Sequence, residues 1–327
     1  MKLNSTSSFL FLGLGGAGQR HLRILRELLP ENPFYGYRFT KKTPLLNKDF
    51  SVNKEDNLEE KYQIKLLKNF QDISSITPLF TVIALPTSLH KEYCIFAKKL
   101  KSNVFVEKPG FFNKEEINEL SNAFLNSQEK ITVGYQRQFN PVVKSLKKII
   151  DSNLYGGIKL INLEIASFIP DWHPYENYKN LYACRSDLGG GILHTECHEL
   201  FLICSLFGTP NKVRKKFWNN NKGAINVFDS CSLILEYNEF KVEGTISFYK
   251  KPNKRIINFE MEKAILYLDL NNNKLILKEK KGEIIEENYH LDSHDLFMEQ
   301  AKEFLKLNSN NQATLRTLNS LSKIIND

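Results

Sequence analysis

The feature that most constrains this chain is an apolar run that breaks at a glycine turn and resumes as an amphipathic segment. Residues 8–12 read Ser-Phe-Leu-Phe-Leu, the turn Gly13-Leu14-Gly15-Gly16-Ala17-Gly18 follows, and residues 21–28 read His-Leu-Arg-Ile-Leu-Arg-Glu-Leu. Strand, glycine turn and helix in this order are the setting in which Gly-x-Gly-x-x-Gly signals a dinucleotide site. The glycines let the backbone approach a pyrophosphate, and the helix start offers free N–H groups and a positive dipole end. Gly13, Gly15, Gly16, Ala17 and Gly18 are therefore candidate cofactor residues.

The same alternation continues along the chain. Strands are expected at Pro33–Phe39, Gln63–Leu67, Phe80–Leu85, Asn103–Glu107 and Ile131–Tyr135, with helices at Leu89–Leu100 and Lys114–Leu125. Such a pattern builds a doubly wound parallel sheet of the Rossmann type, whose ligand lies at the carboxyl ends of the strands. Pro86, Glu107, Lys108 and Tyr135 fall at such ends. The pattern changes near Gln136. A helix over Pro141–Ser152 is followed by extended runs at Ile158–Ile169, Val213–Trp218, Asp229–Tyr237, Phe240–Tyr249, Arg255–Met261, Ala264–Leu270 and Lys274–Lys278. Short turns between neighbours imply an open, mainly antiparallel sheet, and helices over Asp292–Leu307 and Ala313–Ile325 close the chain. The expected division is residues 1–136 for a dinucleotide-binding domain. Residues 137–327 then form an α+β domain for substrate binding and subunit contacts.

Composition narrows the choice of partner. A chain of 327 residues exceeds one ordinary core. No segment approaches the ~18 consecutive apolar residues of a membrane span, and the first strand starts too early for a cleavable signal, so a cytoplasmic protein is expected. The net charge of +8 comes from 45 basic and 37 acidic side chains scattered along helices and turns. That scatter favours a solvated surface over a nucleic-acid interface. Five cysteines without a C-x-x-C pair indicate neither a disulfide framework nor a zinc ribbon. His194-x-Glu196-x-His198 puts two histidines on one helical face, but no third ligand stands at a recognisable spacing, and no metal is expected.

Three further stretches carry a resemblance. They are residues 84–90, Ala-Leu-Pro-Thr-Ser-Leu-His; residues 106–109, Val-Glu-Lys-Pro; and the glycine-led segment from Gly189 through His194, His198 and Glu199 to Gly208. With residues 134–141, Gly-Tyr-Gln-Arg-Gln-Phe-Asn-Pro, they make the chain resemble the Gfo/Idh/MocA oxidoreductases, which include glucose-fructose oxidoreductase and inositol dehydrogenase. The resemblance implies that Leu85, Pro86 and His90 lie over a nicotinamide, that Glu107 and Lys108 form the family's E-K-P motif, and that Arg137 lies in the segment joining the domains. It also implies a carbohydrate substrate. The stretch from Trp172 to Phe207 looks most like members from bacterial surface-sugar pathways.

Residue chemistry supports specific roles. A lysine just past a strand end, as Lys108 is, can hold a substrate oxygen and stabilise developing charge. His198 suits general acid/base work because imidazole titrates in the useful range. The family usually places an aspartate four residues before this histidine and often another three after it; here those positions are His194 and Phe201. Either Lys108 leads proton transfer, or Glu196 or Asp187 orients His198, or the site is altered. Trp172 and His173, beside Tyr175, suit the apolar face of a sugar ring or an aromatic plug equally.

The end of the second strand bears on the cofactor. Residues 33–42, Pro-Phe-Tyr-Gly-Tyr-Arg-Phe-Thr-Lys-Lys, lack the acid that holds ribose hydroxyls about twenty residues after the glycines. Arg38, Thr40 and Lys41 instead suit a 2′-phosphate, so NADP is expected over NAD. The expected activity is hydride transfer between nicotinamide and a sugar hydroxyl or keto carbon. A non-catalytic NADP-binding regulator and an NAD-dependent glycosidase are the alternatives, and a homodimer or homotetramer through the C-terminal sheet is the expected assembly.

Overall fold

The computed structural model describes residues 3–40, 43–220, 223–280 and 282–327. In chain order the elements begin β1 (Phe9–Leu12), α1 (Gly16–Leu28), β2 (Phe34–Tyr37), α2 (Leu58–Tyr62), β3 (Ile64–Leu66) and β4 (Phe80–Ile83). Then come α3 (His90–Lys99), β5 (Asn103–Val106), α4 (Lys114–Phe124), β6 (Ile131–Val133), α5 (Pro141–Ser152) and β7 (Ile158–Phe168). After α6 (Ile192–Thr195) and α7 (His198–Phe207) the chain runs through β8 (Lys212–Trp218), β9 (Ser230–Glu236), β10 (Lys241–Ser247), β11 (Tyr249–Met261), β12 (Ala264–Asp269), β13 (Lys274–Glu279) and β14 (Ile284–Asn288). Helices α8 (Ser293–Leu305) and α9 (Asn311–Asn326) end it.

Two compact units result. One comprises Met1–Gly134, His173–Asn177 and Phe297–Arg316; the other comprises Tyr135–Trp172, Tyr178–Leu296 and Thr317–Asp327. The first contains a parallel sheet in the order β3-β2-β1-β4-β5-β6, the doubly wound architecture expected from the alternating pattern. Every residue of β1, β4 and β5 is buried, as strands covered on both faces require. Phe80 stacks on Phe9 with ring centroids 4.7 Å apart and meets the edge of Phe304 at 5.0 Å. The paired registers bring the carboxyl ends of β1, β4 and β5 level: Leu12 pairs with Ile83 and Ile83 with Val106. Gly13, Ala84 and Glu107 thus emerge side by side.

The second unit contains a sheet in the order β14-β13-β12-β11-β7-β10-β9-β8. Its neighbours are antiparallel except β7 and β10, which run parallel. Buried and exposed residues alternate strictly along the first six positions of β10, so one face packs on the core and the other is open. Strand β11 is longer than the expected Arg255–Met261, starting at Tyr249 with an irregularity between Tyr249 and Lys254. Edge strand β14 was not expected: Ile284-Ile-Glu-Glu-Asn288 shows no alternation, and its isoleucines are exposed. No helix among the described residues is long and apolar enough to cross a membrane.

Phe80→Ala removes a fully buried ring touching two others, and should destabilise the protein by about 3–5 kcal/mol. Urea unfolding followed by circular dichroism checks this; a loss under 1 kcal/mol would contradict the packing described.

Candidate functional site

The glycine turn is shaped by close approach. Gly13 has φ +90°, and a Cβ there would lie 2.4 Å from the Ala84 carbonyl oxygen. A Cβ on Gly18 would lie 2.1 Å from the Gly13 carbonyl oxygen, so α1 packs against the turn in a way only glycine permits. Over Gly15, by contrast, an added Cβ would meet nothing nearer than 3.9 Å. Gly15 caps α1 with no side-chain acceptor, and the first turn of the helix carries no acid. An uncapped, acid-free helix start beside open space fits an anionic pyrophosphate, because its N–H groups and dipole favour negative charge. Ala17 lies in this same first turn.

Two contributions to this turn were not anticipated from sequence. Gln19 donates through Nε2 to the carbonyls of Leu14 (3.1 Å) and Pro44 (2.8 Å), and its Oε1 accepts from the Leu46 N–H (2.8 Å). One buried amide so ties the glycine turn to the loop after β2. The segment His173–Asn177 also belongs to this unit. His173 stacks between Phe50 and Tyr175, and the Tyr175 hydroxyl oxygen would lie 2.8 Å from a Cβ on Gly16. His173, read as a sugar-facing residue, therefore lies in a stack of rings beside the helix start. Nothing in its spacing from Gly16 announces that.

Arg38 follows β2. Its Nη2 donates to the Thr43 carbonyl, while its Nε is buried without a hydrogen-bond partner. Burial lowers the guanidinium pKa, yet it stays cationic. Thr40 is exposed nearby in sequence, and Lys41 lies outside the described residues. Past β4, Leu85 and Pro86 lead into α3. There the buried His90 donates from Nε2 to the Leu85 carbonyl at 2.8 Å, and burial drops its pKa to about 4. His90 is thus neutral at physiological pH and braces the turn instead of moving protons.

At the end of β5, Glu107 is buried. Its Oε1 accepts from His21 Nε2 at 2.6 Å, with Arg20 Nη2 at 3.5 Å. Burial alone would raise this carboxyl, but the bond and charge of His21, with the charges of Arg20 and Lys108, outweigh it and hold the pKa near 2. Lys108 is half-buried, and the peptide joining it to Pro109 is cis. The partners of Glu107, Arg20 and His21, stand in the second turn of α1, two and three positions after the motif's last glycine; the motif names none of this.

In the second unit, His198 is the first residue of α7 and is buried. Tyr135 meets its ring edge-on at 5.7 Å and stacks on Phe201 at 3.7 Å, so the residue at the usual aspartate position is a packing partner. Glu196 and Glu199 flank the histidine. Arg255 of β11 bonds both, reaching Glu199 Oε2 at 2.9 Å, and Ser167 donates to Glu196 Oε1 at 2.8 Å. Arg137 Nε stands 3.7 Å from Glu199 Oε1, and its Nη1 donates to the Leu270 carbonyl at 3.1 Å. Burial, with Arg255 beside it, lowers the Arg137 pKa to about 10. Asp187 pairs with Arg185 at the surface. Trp172 packs edge-on against Phe248 at 5.7 Å, and His194 is half-buried on α6. The candidate residues therefore divide. Those from Gly13 to Lys108, with His173, fall in the first unit; Arg137, Trp172, His194 and His198 fall in the second. The five cysteines are buried and free, and among the described residues no group of three His, Cys, Asp or Glu side chains is gathered for a metal.

Residues 7–135 match the model of the Gfo/Idh/MocA oxidoreductase family, an NAD-binding Rossmann fold. That stretch of the chain is similar to the family's NAD-binding domain. A curated relative, oxidoreductase P35 of Formosa agariphila, is 26% identical over 212 residues, which span 64% of this chain and 64% of the relative. Among solved structures, UDP-N-acetylglucosamine 3-dehydrogenase of Acidithiobacillus ferrooxidans superposes with a TM-score of 0.74 at 14% identity, covering 97% of this chain and 96% of that one. A levoglucosan dehydrogenase bound to NADH and levoglucosan superposes at 0.76 with 14% identity, covering 92% and 89%. At these identities the likeness is one of fold. That match and the glycine turn together make residues 7–135 an NAD(P)-binding domain.

The Glu107 pair makes stability pH-dependent. A carboxyl held near 2 in the folded protein, against about 4.5 when free, contributes stability above 4.5 that is lost as pH falls toward 2. Glu107→Gln should lower the melting temperature at pH 7, and the gap from wild type should narrow progressively below pH 4.5. A gap that stays constant down to pH 3 would show that the charge of Glu107 is not what holds this corner.

Proposed function

We propose that this protein is a dehydrogenase or reductase that transfers a hydride between NADP and a hydroxyl or keto carbon of a sugar or sugar derivative. The observation that carries the reading is the uncapped, glycine-lined start of α1, with Glu107 and Lys108 emerging beside it at the next strand ends but one. When bound, the nicotinamide supplies or accepts the hydride. Gly13, Gly15, Gly16, Ala17 and Gly18 cradle the pyrophosphate, and Leu85, Pro86 and His90 form the turn under the nicotinamide. Arg38, whose buried Nε has no acceptor among the described residues, holds the 2′-phosphate with Thr40 and Lys41, which favours NADP over NAD.

Lys108 holds the substrate oxygen with its ammonium group and stabilises negative charge as it develops there. His198 is the group proposed to give or take the substrate's proton. Glu196 and Glu199, clamped by Arg255, fix the backbone on either side of His198, a task the family usually leaves to an aspartate. Trp172, His173, Arg137 and His194 are proposed substrate contacts. Residues 1–136 bind the dinucleotide and 137–327 the substrate, with the open face of the second sheet joining subunits into a homodimer or homotetramer. The sugar dehydrogenases of the same fold support a carbohydrate substrate, here placed in bacterial surface-sugar synthesis in the cytoplasm.

NADPH at ~100 times its dissociation constant should stabilise the folded protein by about 2.7 kcal/mol, and NADH at the same concentration by clearly less. Arg38→Ala should weaken NADPH roughly tenfold or more, the worth of one charge-assisted contact, and leave NADH unchanged. Calorimetric titration decides, and equal affinity for both nucleotides refutes the 2′-phosphate assignment. Lys108→Met should retain NADPH affinity but lower kcat on a keto-sugar by roughly 10²–10⁴; stopped-flow absorbance at the nicotinamide band would expose an unimpaired variant.

A further inference from the structure

The second unit carries a cavity of about 530 Å³, and of the residues that line it only His194 has a role above. One wall is the segment Gly190–His194, which leads through α6 to His198. The lining also includes Phe217 at the end of β8, the loop carrying Val227 and Phe228, and Ile325 of α9. The path of that segment depends on glycine. A Cβ on Gly190 would lie 2.1 Å from the Tyr182 carbonyl oxygen, and Gly191 holds φ +115°, which side-chain-bearing residues rarely adopt. The loop is tied down as well. The Ser186 N–H donates to Asn226 Oδ1 at 2.9 Å, and Asn220 donates from its backbone N–H and its Nδ2 to Asp229 at 2.8 and 3.1 Å.

The lining specifies a ligand class. Among the described residues no Asp, Glu, Lys or Arg side chain faces this cavity; its polar groups are those of His194, Ser186, Asn219 and Asn226. A phosphate or carboxylate here would be desolvated without a counter-charge. Phe217 and Phe228 stack at 5.2 Å and 25°, and Phe228 remains 53% exposed. Aromatic faces with a few amides and a hydroxyl suit a small ligand with one apolar side, and the volume lies within the usual range for such sites. We propose that this cavity binds an uncharged part of a carbohydrate bearing an apolar substituent, such as an acylamino or aryl group, and holds it against the segment that leads to His198. The carbohydrate class rests on the function proposed above; the demand for an uncharged, partly apolar ligand rests on the cavity alone.

Saturation-transfer NMR on the full chain tests this, with phenyl β-glucoside and N-acetylglucosamine as neutral probes and glucose 1-phosphate as the charged one. The series is run with and without NADPH. Transfer to the phenyl or acetyl protons is expected, weakened at least tenfold in Val227→Asp and reduced in Phe228→Ala, whose exposed ring can be removed without unfolding the protein. NADPH affinity should not change in either variant. Absent transfer, transfer undiminished in both variants, or preference for glucose 1-phosphate would overturn the assignment even if NADPH binds. Failure of the wild type to bind NADPH would instead count against the proposed function, while probe binding lost in Val227→Asp would still stand for the cavity.

Discussion

The contact on which the N-terminal half depends is the buried pair between His21 and Glu107. His21 stands in the second turn of α1, and Glu107 ends β5. The bond therefore fixes α1 against the strand end that leads into Lys108. A buried carboxylate is costly unless charge and hydrogen bonds meet it, and here His21 and Arg20 do so from one helix. Arg20 also lies over the Phe297 ring at 3.8 Å, so the cluster reaches α8. The two functions proposed for this corner, holding an anion and holding a substrate oxygen, would be set in register by that one charge pair.

The second unit handles charge in a comparable way. Arg255 receives two carboxylates that bracket His198 in sequence, and Arg137 stands on the far oxygen of Glu199. Losing Arg255 would leave two buried acids with too little positive charge, which is far more costly than losing an exposed pair. On the function proposed above, His198 would be oriented by this clamped backbone and by the Tyr135–Phe201 stack.

Legibility followed the range of the interactions. The glycine turn, the buried strands and the tight antiparallel turns are local, and residues 8–28 or 264–278 reveal them through spacing alone. Glu107, Lys108, His194 and His198 can be named as candidates because motif and chain order single them out. What stayed hidden was pairing across distance. His21 was read only as part of an amphipathic run, and Gln19 carries no signature of the three bonds it makes. Strand β14 lacks alternation because it is an edge with its isoleucines in solvent. The association of residues 173–177 with the first unit depends on ring stacking that no periodicity encodes.

The make-up of that first unit bears on how the protein is made. Its core includes Phe297, Ala301 and Phe304, and Phe304 packs on Phe80 and Phe105, more than 190 residues earlier in the chain. A ribosome that has released the parallel sheet has not yet supplied the side chains that cover it. Until the last helices emerge, those rings face water. Contacts so distant in sequence slow folding and prolong the exposure of apolar surface. The nascent sheet is therefore the stage at which a chaperone would find most to hold, and a fragment ending after β6 would inherit that exposure permanently.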